Sequence, residues 1–232
     1  MTRSRTAEFA RAVAALALLA AGCGVVDSDE VETDEIWAYF TVDHRVDDSV
    51  RAWAELRKGG PLGYVLNLTG GDHVECNGVR LTEYEETVTD YHWSEAAVPM
   101  AVDGRYRFAL VRTGDSASAS LEMGAPPTIL STDPPDVMGY SDALTVRWDA
   151  TQAGNGVDIR VQGDCIGEVL ADNETDDGEH TFPRLTGMIG RDPCTITVRV
   201  IRAHSAWVRG GFGGGLIELN REAVATLVYE PL

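Results

Sequence analysis

The sequence has few cations and no long apolar segment. Lys58 is its only lysine, and 19 basic residues face 37 acidic ones, for a net charge of −18. Nucleic-acid binding requires a basic surface, so this composition argues against it. Docking on anionic lipid by charge alone is excluded on the same ground. No apolar run is long enough to cross a bilayer as a helix, and no long amphipathic helix stands out.

The sequence is also poor in catalytic patterns. Gly139-Tyr140-Ser141-Asp142-Ala143 approaches the nucleophile elbow but lies between a proline-rich segment and a strand, so we interpret it as a polar turn. The glycines of residues 209–215 miss the phosphate-loop spacing and predict a mobile loop or bulge between strands. No histidine shows the spacing of a zinc protease. We therefore expect a protein that is not an enzyme and that uses no cofactor.

The amino terminus has the parts of an export signal. Arg3, Arg5 and Arg11 precede an apolar stretch of about ten residues, Ala12 to Ala21, which is too short to span a bilayer. The ending Ala20-Ala21-Gly22-Cys23 resembles the lipobox of bacterial lipoproteins, in which the cysteine receives a diacylglycerol. That resemblance implies a cleaved signal over residues 1–22 and a lipid on Cys23. An ordinary cleaved signal with a chance cysteine is the alternative.

The predicted export would leave a strongly acidic chain. Residues 1–22 contain three arginines and one glutamate, so the remainder has 16 basic and 36 acidic residues, a net charge of about −20. Residues 23–35 are acidic and poor in large apolar groups, which predicts a flexible tether between the lipid and the first domain.

Short alternating runs separated by turn signals predict an all-β chain of β-sandwiches. Residues 36–123 form a first domain, residues 124–136 a proline-rich linker and residues 137–232 a second domain. The run at residues 50–58 alternates fully, which favours a strand over a capped helix. Asn77-Gly78 predicts a tight hairpin in which Cys76 faces Val79.

Four cysteines are present. Cys165 and Cys194 fall in phase with core-facing residues, one at a strand end and one at a strand start, which predicts a disulfide in an oxidising compartment. Two unpaired buried thiols are the alternative. With Cys23 acylated, Cys76 remains as a buried free thiol or a dimer link.

Two ligand hypotheses follow from exposed groups. Trp37 shares one side of its strand with Tyr39, and Trp93 shares one side with Tyr91, so Trp37 and Trp93 are candidate contacts for a sugar if these sides face outward. If they face inward, they are core residues. Asp172, Asp176 and Asp177 are weak candidates for calcium, because Asp177 stands where a calcium loop needs glycine. We expect Asp177-Gly178 to be a hairpin turn.

The segments "LTVRWDA", "VDIRVQGDCI" and "CTITVRVIR", after a lipobox and an acidic segment, resemble exported lipoproteins of high-GC Gram-negative bacteria with tandem immunoglobulin-like or fibronectin-type domains. The resemblance implies two immunoglobulin-like β-sandwiches held outside the cytoplasm by a lipid, on the outer membrane. It implies a structural, adhesion or protein-contact role toward an envelope protein or glycan. A carbohydrate- or calcium-binding accessory is the alternative function.

Overall fold

The computed structural model describes residues 24–139, 141–150, 156–185 and 192–230. Apart from two short 3-10 turns, Ser28–Glu30 and Thr33–Glu35, every regular element of these residues is a β-strand. None of the described helices is both long and apolar enough to cross a membrane. The predicted all-β fold class, with sandwich-like packing of sheets, is confirmed.

The strands are numbered in chain order. Ten lie before residue 124: β1 Val25–Asp27, β2 Ile36–His44, β3 Val50–Lys58, β4 Tyr64–Asn67, β5 His73–Cys76, β6 Val79–Arg80, β7 Thr82–Glu86, β8 Tyr91–Ala97, β9 Arg105–Val111 and β10 Ser116–Glu122. Eight follow: β11 Ile129–Asp133, β12 Val137–Gly139, β13 Leu144–Trp148, β14 Gly156–Gly163, β15 Ile166–Thr175, β16 Glu179–Phe182, β17 Cys194–Trp207 and β18 Gly214–Glu230.

One large sheet runs through the whole molecule. Its order is β1-β4-β3-β2-β18-β17-β14-β15, with β8 paired to β3, β7 paired to β8, and β12 beside β18. A four-stranded sheet, β10-β9-β5-β6, covers one part of it, and a three-stranded sheet, β11-β13-β16, covers the other. We call the large sheet the shared sheet, because each smaller sheet packs on it over a separate apolar core.

The two cores follow the alternation of the strands. In the first, Phe40 of β2 stacks on Phe108 of β9 with ring centroids 4.4 Å apart. In the second, Trp148 of β13 packs among the inward residues of β14 and β17, such as Ile159 and Val198. Successive side chains of a strand point to opposite faces, so the same alternation leaves a second, outward face on the shared sheet.

The β17–β18 hairpin contributes to both cores. Ile196 and Leu227 belong to the second core, whereas Ile217 and Leu219 belong to the first. The first half of β18 pairs in parallel with β2, from Gly214 beside Trp37 to Arg221 beside His44. The division at residues 123 and 137 remains a prediction, and the structure adds that one hairpin from the carboxyl-terminal part completes the amino-terminal sheet.

Several local predictions are confirmed. Residues 50–58 form strand β3 rather than a helix, with Val50, Ala52 and Ala54 buried. The Asn77-Gly78 turn has positive φ at both residues, 49° and 80°, as this tight hairpin turn requires. Cys76 pairs with Val79 in the predicted register.

The expectation of a flexible acidic tether is wrong for residues 25–35. β1 pairs in parallel with β4, and Val31 is buried in the first core. The Arg112 guanidinium donates to the carbonyls of Ser28 and Val31, at 2.6 and 2.7 Å, and forms an ion pair with the buried carboxylate of Asp72 at 3.0 Å. Composition alone did not show that a buried arginine donates hydrogen bonds to the backbone carbonyls of this segment.

Two further expectations need correction. The predicted linker over residues 124–136 contains β11, which pairs with β13 and is therefore part of the three-stranded sheet. Asp177-Gly178 does not close a hairpin, because β15 belongs to the shared sheet whereas β16 belongs to the three-stranded sheet. The turn connects the two layers of the second sandwich. Sequence alternation identified these strands but not their partners.

Candidate functional site

Aromatic residues collect on the outward face of the shared sheet. Alternation places the inward residues of β2 and β3 in the first core and turns the intervening residues outward. We call the result the aromatic face; it consists of Trp37 and Tyr39 of β2, Trp53 of β3, Tyr84 of β7, and Tyr91 and Trp93 of β8. Tyr84 is 44% exposed and the other five are partly exposed. Apolar groups of this size on an outer sheet face mark an interaction surface.

Trp53 separates two open cavities on this face. On one side of Trp53 lies a cavity of about 380 Å³, and Tyr39, Glu55 and Arg57 also line it. A cavity of about 420 Å³ on the other side is lined also by Trp93 and Glu95, among others. The indole of Trp53 is therefore a common wall, and each cavity combines an aromatic ring with a carboxylate and a guanidinium.

Ion pairs fix the polar groups of both cavities. Glu55, 7% exposed, accepts hydrogen bonds from Arg57 and from the hydroxyl of Tyr91. Burial, followed by the neighbouring Glu55 carboxylate, raises the pKa of Tyr91, so its hydroxyl stays protonated as the donor. Across Trp53, Glu95 accepts from Arg51 and, at 3.2 Å, from Nε1 of Trp93. Contacts within the protein therefore hold these side chains in position.

The two tryptophans predicted from sequence as sugar contacts lie outward, but their surroundings differ. Trp93 stacks between Tyr84 and Tyr91, with centroids 5.7 Å from each, and lines the larger of the Trp53 cavities. Trp37 instead covers Gly214, where a Cβ would lie 2.5 Å from its ring. Its ring also meets Trp207 edge-on at 6.3 Å. Ligand contact remains a prediction for both, and the geometry favours Trp93.

Sequence analysis did not single out Trp53. The signal was present: the alternation that puts Val50, Ala52 and Ala54 into the core turns Trp53 outward among Arg51, Glu55 and Arg57. A tryptophan on the charged side of a strand could have been read as a surface group. What the sequence could not supply is the neighbour relation between β3 and β8, which aligns Trp53 with Glu95.

A third and larger cavity, of about 820 Å³, continues along the outward face toward β14 and β15. We call it the charged cavity. Its lining includes six carboxylates and three arginines, Asp43, Asp47, Asp158, Glu168, Glu218, Glu222, Arg45, Arg160 and Arg199. It shares Asp43 with one Trp53 cavity and Glu218 with the other, so the three cavities are contiguous.

His44 borders the charged cavity but alternates with Asp43 along β2, so its ring lies on the inward side of the sheet beside Arg221. Its side chain is 9% exposed, and its Nε2 lies 3.6 Å from Asp48 Oδ1, too far for a hydrogen bond. Burial, and then the positive charge of Arg221, holds the pKa of His44 below its usual range despite the nearby acidic groups. The ring is therefore neutral at pH 7, with a buried nitrogen that no described protein group satisfies.

The cysteine predictions can be compared with the structure in part. Cys165 and Cys194 form the predicted disulfide, which joins the turn after β14 to the start of β17. Cys76 is a buried free thiol, and burial raises its pKa to about 12. A thiol so enclosed does not fit a dimer link. The lipidation predicted for Cys23, like the signal over residues 1–22, lies outside the described residues.

The aspartates considered for calcium do not converge. Asp176 is buried, and its carboxylate accepts from Nε1 of Trp148 and from Nε of Arg202, both at 2.8 Å. Asp172 and Asp177 are exposed. Within residues 24–139, 141–150, 156–185 and 192–230, no group of three or more His, Cys, Asp or Glu is placed to hold a metal ion. Calcium binding therefore gains no support here.

The two remaining motifs have structural explanations. Ser141 is exposed in the turn between β12 and β13, where Asp142 accepts from the amide of Gly139 at 2.7 Å. That arrangement is a polar turn, as predicted. The glycine-rich segment joins β17 to β18, with Phe212 buried against Phe40 and the carbonyl of Gly210 accepting from the amide of Ser118. The segment lies between two strands, as expected, and it packs on the first core.

Neither a scan against protein-family models nor a search of curated proteins found a match. Solved structures with a similar chain path include titin domains z1z2 in complex with telethonin (12% identity, 83% of this chain, 93% of that chain, TM-score 0.25). Titin immunoglobulin tandem domains match at 11% identity, 84% and 94% coverage and TM-score 0.23. The Bacteroides ovatus mixed-linkage glucan utilization locus protein SGBP-B, in complex with a mixed-linkage heptasaccharide, matches at 13% identity, 79% and 53% coverage and TM-score 0.23. At these TM-scores the likeness carries no functional argument.

Proposed function

We propose that this protein is a non-catalytic, glycan-binding lipoprotein that acts outside the cytoplasm. The observation that carries the proposal is the position of Trp53 between two cavities, each edged by a carboxylate and an arginine. The C–H groups on one side of a sugar ring pack on an indole, while its hydroxyls accept from guanidinium and donate to carboxylate. Two neighbouring cavities with a common aromatic wall fit two sugar units of one chain.

The side chains that line the two Trp53 cavities are preorganised, and this supports a role in ligand binding. Glu55 and Glu95 each hold an arginine and an aromatic side chain in place, so little side-chain entropy remains to be lost when a ligand binds. Both cavities are open rather than enclosed, which suits an internal stretch of a polymer. The proposed role is recognition without bond cleavage.

The test is binding of the purified protein to a panel of soluble polysaccharides by affinity electrophoresis. Trp53→Ala removes the common wall, and we expect at least a tenfold loss of affinity for any polysaccharide that retards the wild type. Trp207→Ala is the matched control, because Trp207 is 67% exposed and lines neither Trp53 cavity. Equal retardation of wild type and Trp53→Ala would contradict the proposal, as would a panel in which nothing binds.

A protein partner is the second candidate. Trp207, at the end of β17, is the observation that favours it, since exposed tryptophans are enriched among the residues that anchor protein interfaces. Crosslinking on intact cells, followed by identification of the recovered partners, distinguishes the two. A protein whose recovery depends on Trp207 and not on Trp53 would favour this second function.

The proposed location depends on Cys23. Two or three acyl chains, each stabilised by roughly 0.8 kcal/mol per buried methylene, would hold the protein on a membrane, on the outer membrane if the host is Gram-negative. We therefore expect Cys23→Ser to move the protein from the membrane pellet to the soluble fraction after cell lysis. Cys76→Ser is the control, since it also removes a thiol. A Cys23→Ser variant that still pellets with membranes would contradict lipid anchoring.

A further inference from the structure

The residue proposed to carry the lipid is bonded directly to an ordered part of the protein. Cys23 precedes Gly24, whose carbonyl accepts from the amide of Val65 at 3.1 Å, and β1 begins at the next residue. Consecutive Cα atoms are about 3.8 Å apart, so a lipid on Cys23 is attached about one residue from the shared sheet. Because residues 24–35 are ordered, they cannot act as a spacer, and the bilayer that holds the lipid must contact this part of the protein.

The same end of the shared sheet is formed by four further strands. Lys58, at the end of β3, pairs with Ile36 at the start of β2 and with Tyr64 at the start of β4. β18 begins there too, beside Trp37, and then runs toward the second core, to which Leu227 belongs. We call this edge, where β1, β2, β4 and β18 begin and β3 ends, the anchor end. It belongs to the first sandwich, and the second sandwich lies farther along the strands.

An exposed apolar turn projects from the anchor end. Residues 59–63, Gly-Gly-Pro-Leu-Gly, join β3 to β4, and Leu62 is 85% exposed. A Cβ built at Gly59 or Gly60 would meet no described atom within 4 Å, so the start of the turn stands clear of the protein. Both glycines have positive φ, 82° and 112°, which permits the tight reversal that presents the leucine to the outside.

The charge and the aromatic residue beside the turn also suit a bilayer surface. Residues 59–71 contain no acidic or basic side chain, although 24% of the sequence is charged. Just before them, Lys58 pairs with the carboxylate of Glu35 at 3.4 Å, which compensates that acidic group. Just after the turn, the exposed ring of Tyr64 lies against Gly24, where a Cβ would be 2.8 Å away. Tyrosine is enriched where a membrane meets water.

From this arrangement we infer that the β3–β4 turn inserts Leu62 into the bilayer that holds the lipid of Cys23, with Tyr64 at the depth of the headgroups. The inference rests on the proposed lipid anchoring and is independent of glycan binding. A leucine side chain that enters the acyl region leaves water, as it would in a protein core. The first sandwich then stands next to the membrane. Since Pro61 of the same turn lines one Trp53 cavity, the proposed binding surface opens close to the bilayer.

The test places the environment-sensitive fluorophore NBD on single cysteines of the full-length, lipid-bearing protein in phosphatidylcholine vesicles. We expect the probe on Leu62→Cys to brighten roughly twofold as it leaves water, and to be quenched by lipids that carry a nitroxide on the acyl chain. Val102→Cys is the matched control and should show neither effect. Val102 is fully exposed, and it lies in the loop after β8, at the opposite end of β3 from the anchor end. Cys76 is buried and does not compete for the label.

A second pair of variants tests the leucine itself. Pro61→Cys carries the same probe and leaves Leu62 in place. Adding Leu62→Asp should return the emission of this probe to its value in water, because a carboxylate is costly to place in the bilayer. Adding Val102→Asp instead should leave the emission unchanged.

Sedimentation of the vesicles in the same samples separates the inference from lipid anchoring. Protein that sediments with the vesicles while its Leu62→Cys probe stays in water would overturn the inference and leave lipid anchoring standing. A Pro61→Cys probe that enters the bilayer despite Leu62→Asp would also overturn it, as would equal quenching at positions 62 and 102. Wild-type protein that remains in the supernatant would overturn lipid anchoring and, with it, the inference.

Discussion

Glycines at the start of β18 determine how closely that strand approaches β2. A Cβ at Gly215 would lie 1.9 Å from the carbonyl oxygen of Ala38, and one at Gly214 would lie 2.5 Å from the ring of Trp37. The first contact is with backbone, which cannot move aside without disturbing the parallel pairing. The absence of side chains at these two positions therefore lets the carboxyl-terminal hairpin join the amino-terminal sheet.

We expect Gly215→Ala to lower the free energy of unfolding by about 1–3 kcal/mol, since overpacking forces the backbone to shift. Gly124→Ala is the matched control, because nothing lies within 4 Å of a Cβ built there. Its effect should stay within about 0.5 kcal/mol. Urea denaturation followed by tryptophan fluorescence measures both. Equal stability of the two variants would contradict the close approach of β18 to β2.

At the residue scale, the sequence predicted which residues share one side of a strand better than it predicted which contacts those residues make. Alternation put Trp37 with Tyr39 and Trp93 with Tyr91 on one side of their strands but left open whether those sides face outward, as they do in the structure. The phase of the strands correctly paired Cys165 with Cys194. The sequence could not show that Trp37 covers a glycine more than 170 positions away. Nor could it show which carboxylates pair with which arginine, because pairs such as Arg51–Glu95 and Arg199–Glu222 join different strands.

At the element scale, the amino-terminal segment is held by one buried side chain. Arg112, at the end of the β9 region, donates to backbone carbonyls of residues 28 and 31 and to Thr33 Oγ1, and its ion pair with Asp72 is almost fully buried. Ser28 adds a hydrogen bond to Asp72 at 2.8 Å. These contacts explain why an acidic segment with little apolar surface is ordered.

Removing Arg112 should release this segment. We expect Arg112→Ala to destabilise the fold by about 3–5 kcal/mol, because the carboxylate of Asp72 would remain buried without its partner. Limited proteolysis should then cut within residues 24–35 before the rest of the chain. Arg105→Ala is the control: its pair with Glu122 is exposed, and such pairs contribute about 0–1 kcal/mol. Resistance of the segment in Arg112→Ala would show that other contacts hold it.

Element types were predictable, and element partners were not. The alternation of β3 and the Asn-Gly turn between β5 and β6 are local signals, and both were interpreted correctly from the sequence. The parallel pairing of β18 with β2 joins residues about 177 positions apart, a relation that no local pattern contains. The same is true of β16, whose partner lies in the opposite sheet from that of β15.

On the scale of the whole molecule, the shared sheet makes the two cores interdependent. Because the β17–β18 hairpin supplies residues to both, unfolding of the second sandwich would disturb the same hairpin that places Ile217 and Leu219 in the first core. We therefore expect a single cooperative thermal transition, with equal calorimetric and van't Hoff enthalpies. Two transitions resolved by differential scanning calorimetry would contradict the coupling.

Reduction of the Cys165–Cys194 disulfide tests the same coupling from one side. The bond lies wholly in the second sandwich. Its loss should destabilise the protein by about 2–5 kcal/mol. Fluorescence of the aromatic face and near-ultraviolet circular dichroism should lose signal at one lowered midpoint. If only the second sandwich lost structure, the β17–β18 hairpin would not couple the stabilities of the two sandwiches.

The shared sheet also explains why the candidate binding surface is long. The aromatic face lies over the first core and most of the charged cavity over the second, and β18 contributes Leu216, Glu218 and Glu222 along the way. Two separate sandwiches joined by a linker would not keep these groups in register. The proposed recognition of a polymer therefore depends on the hairpin that joins the two cores.

The central claim, that the face around Trp53 binds a glycan, is tested most directly by the indole N–H resonances of the five tryptophans in ¹⁵N-labelled protein. On addition of an oligosaccharide that binds, we expect the Trp53 and Trp93 resonances to shift. The Trp148 resonance should stay in place, because its indole is buried and bonded to Asp176. Shifts confined to Trp207, or none at Trp53 on saturation with a bound oligosaccharide, would contradict the claim.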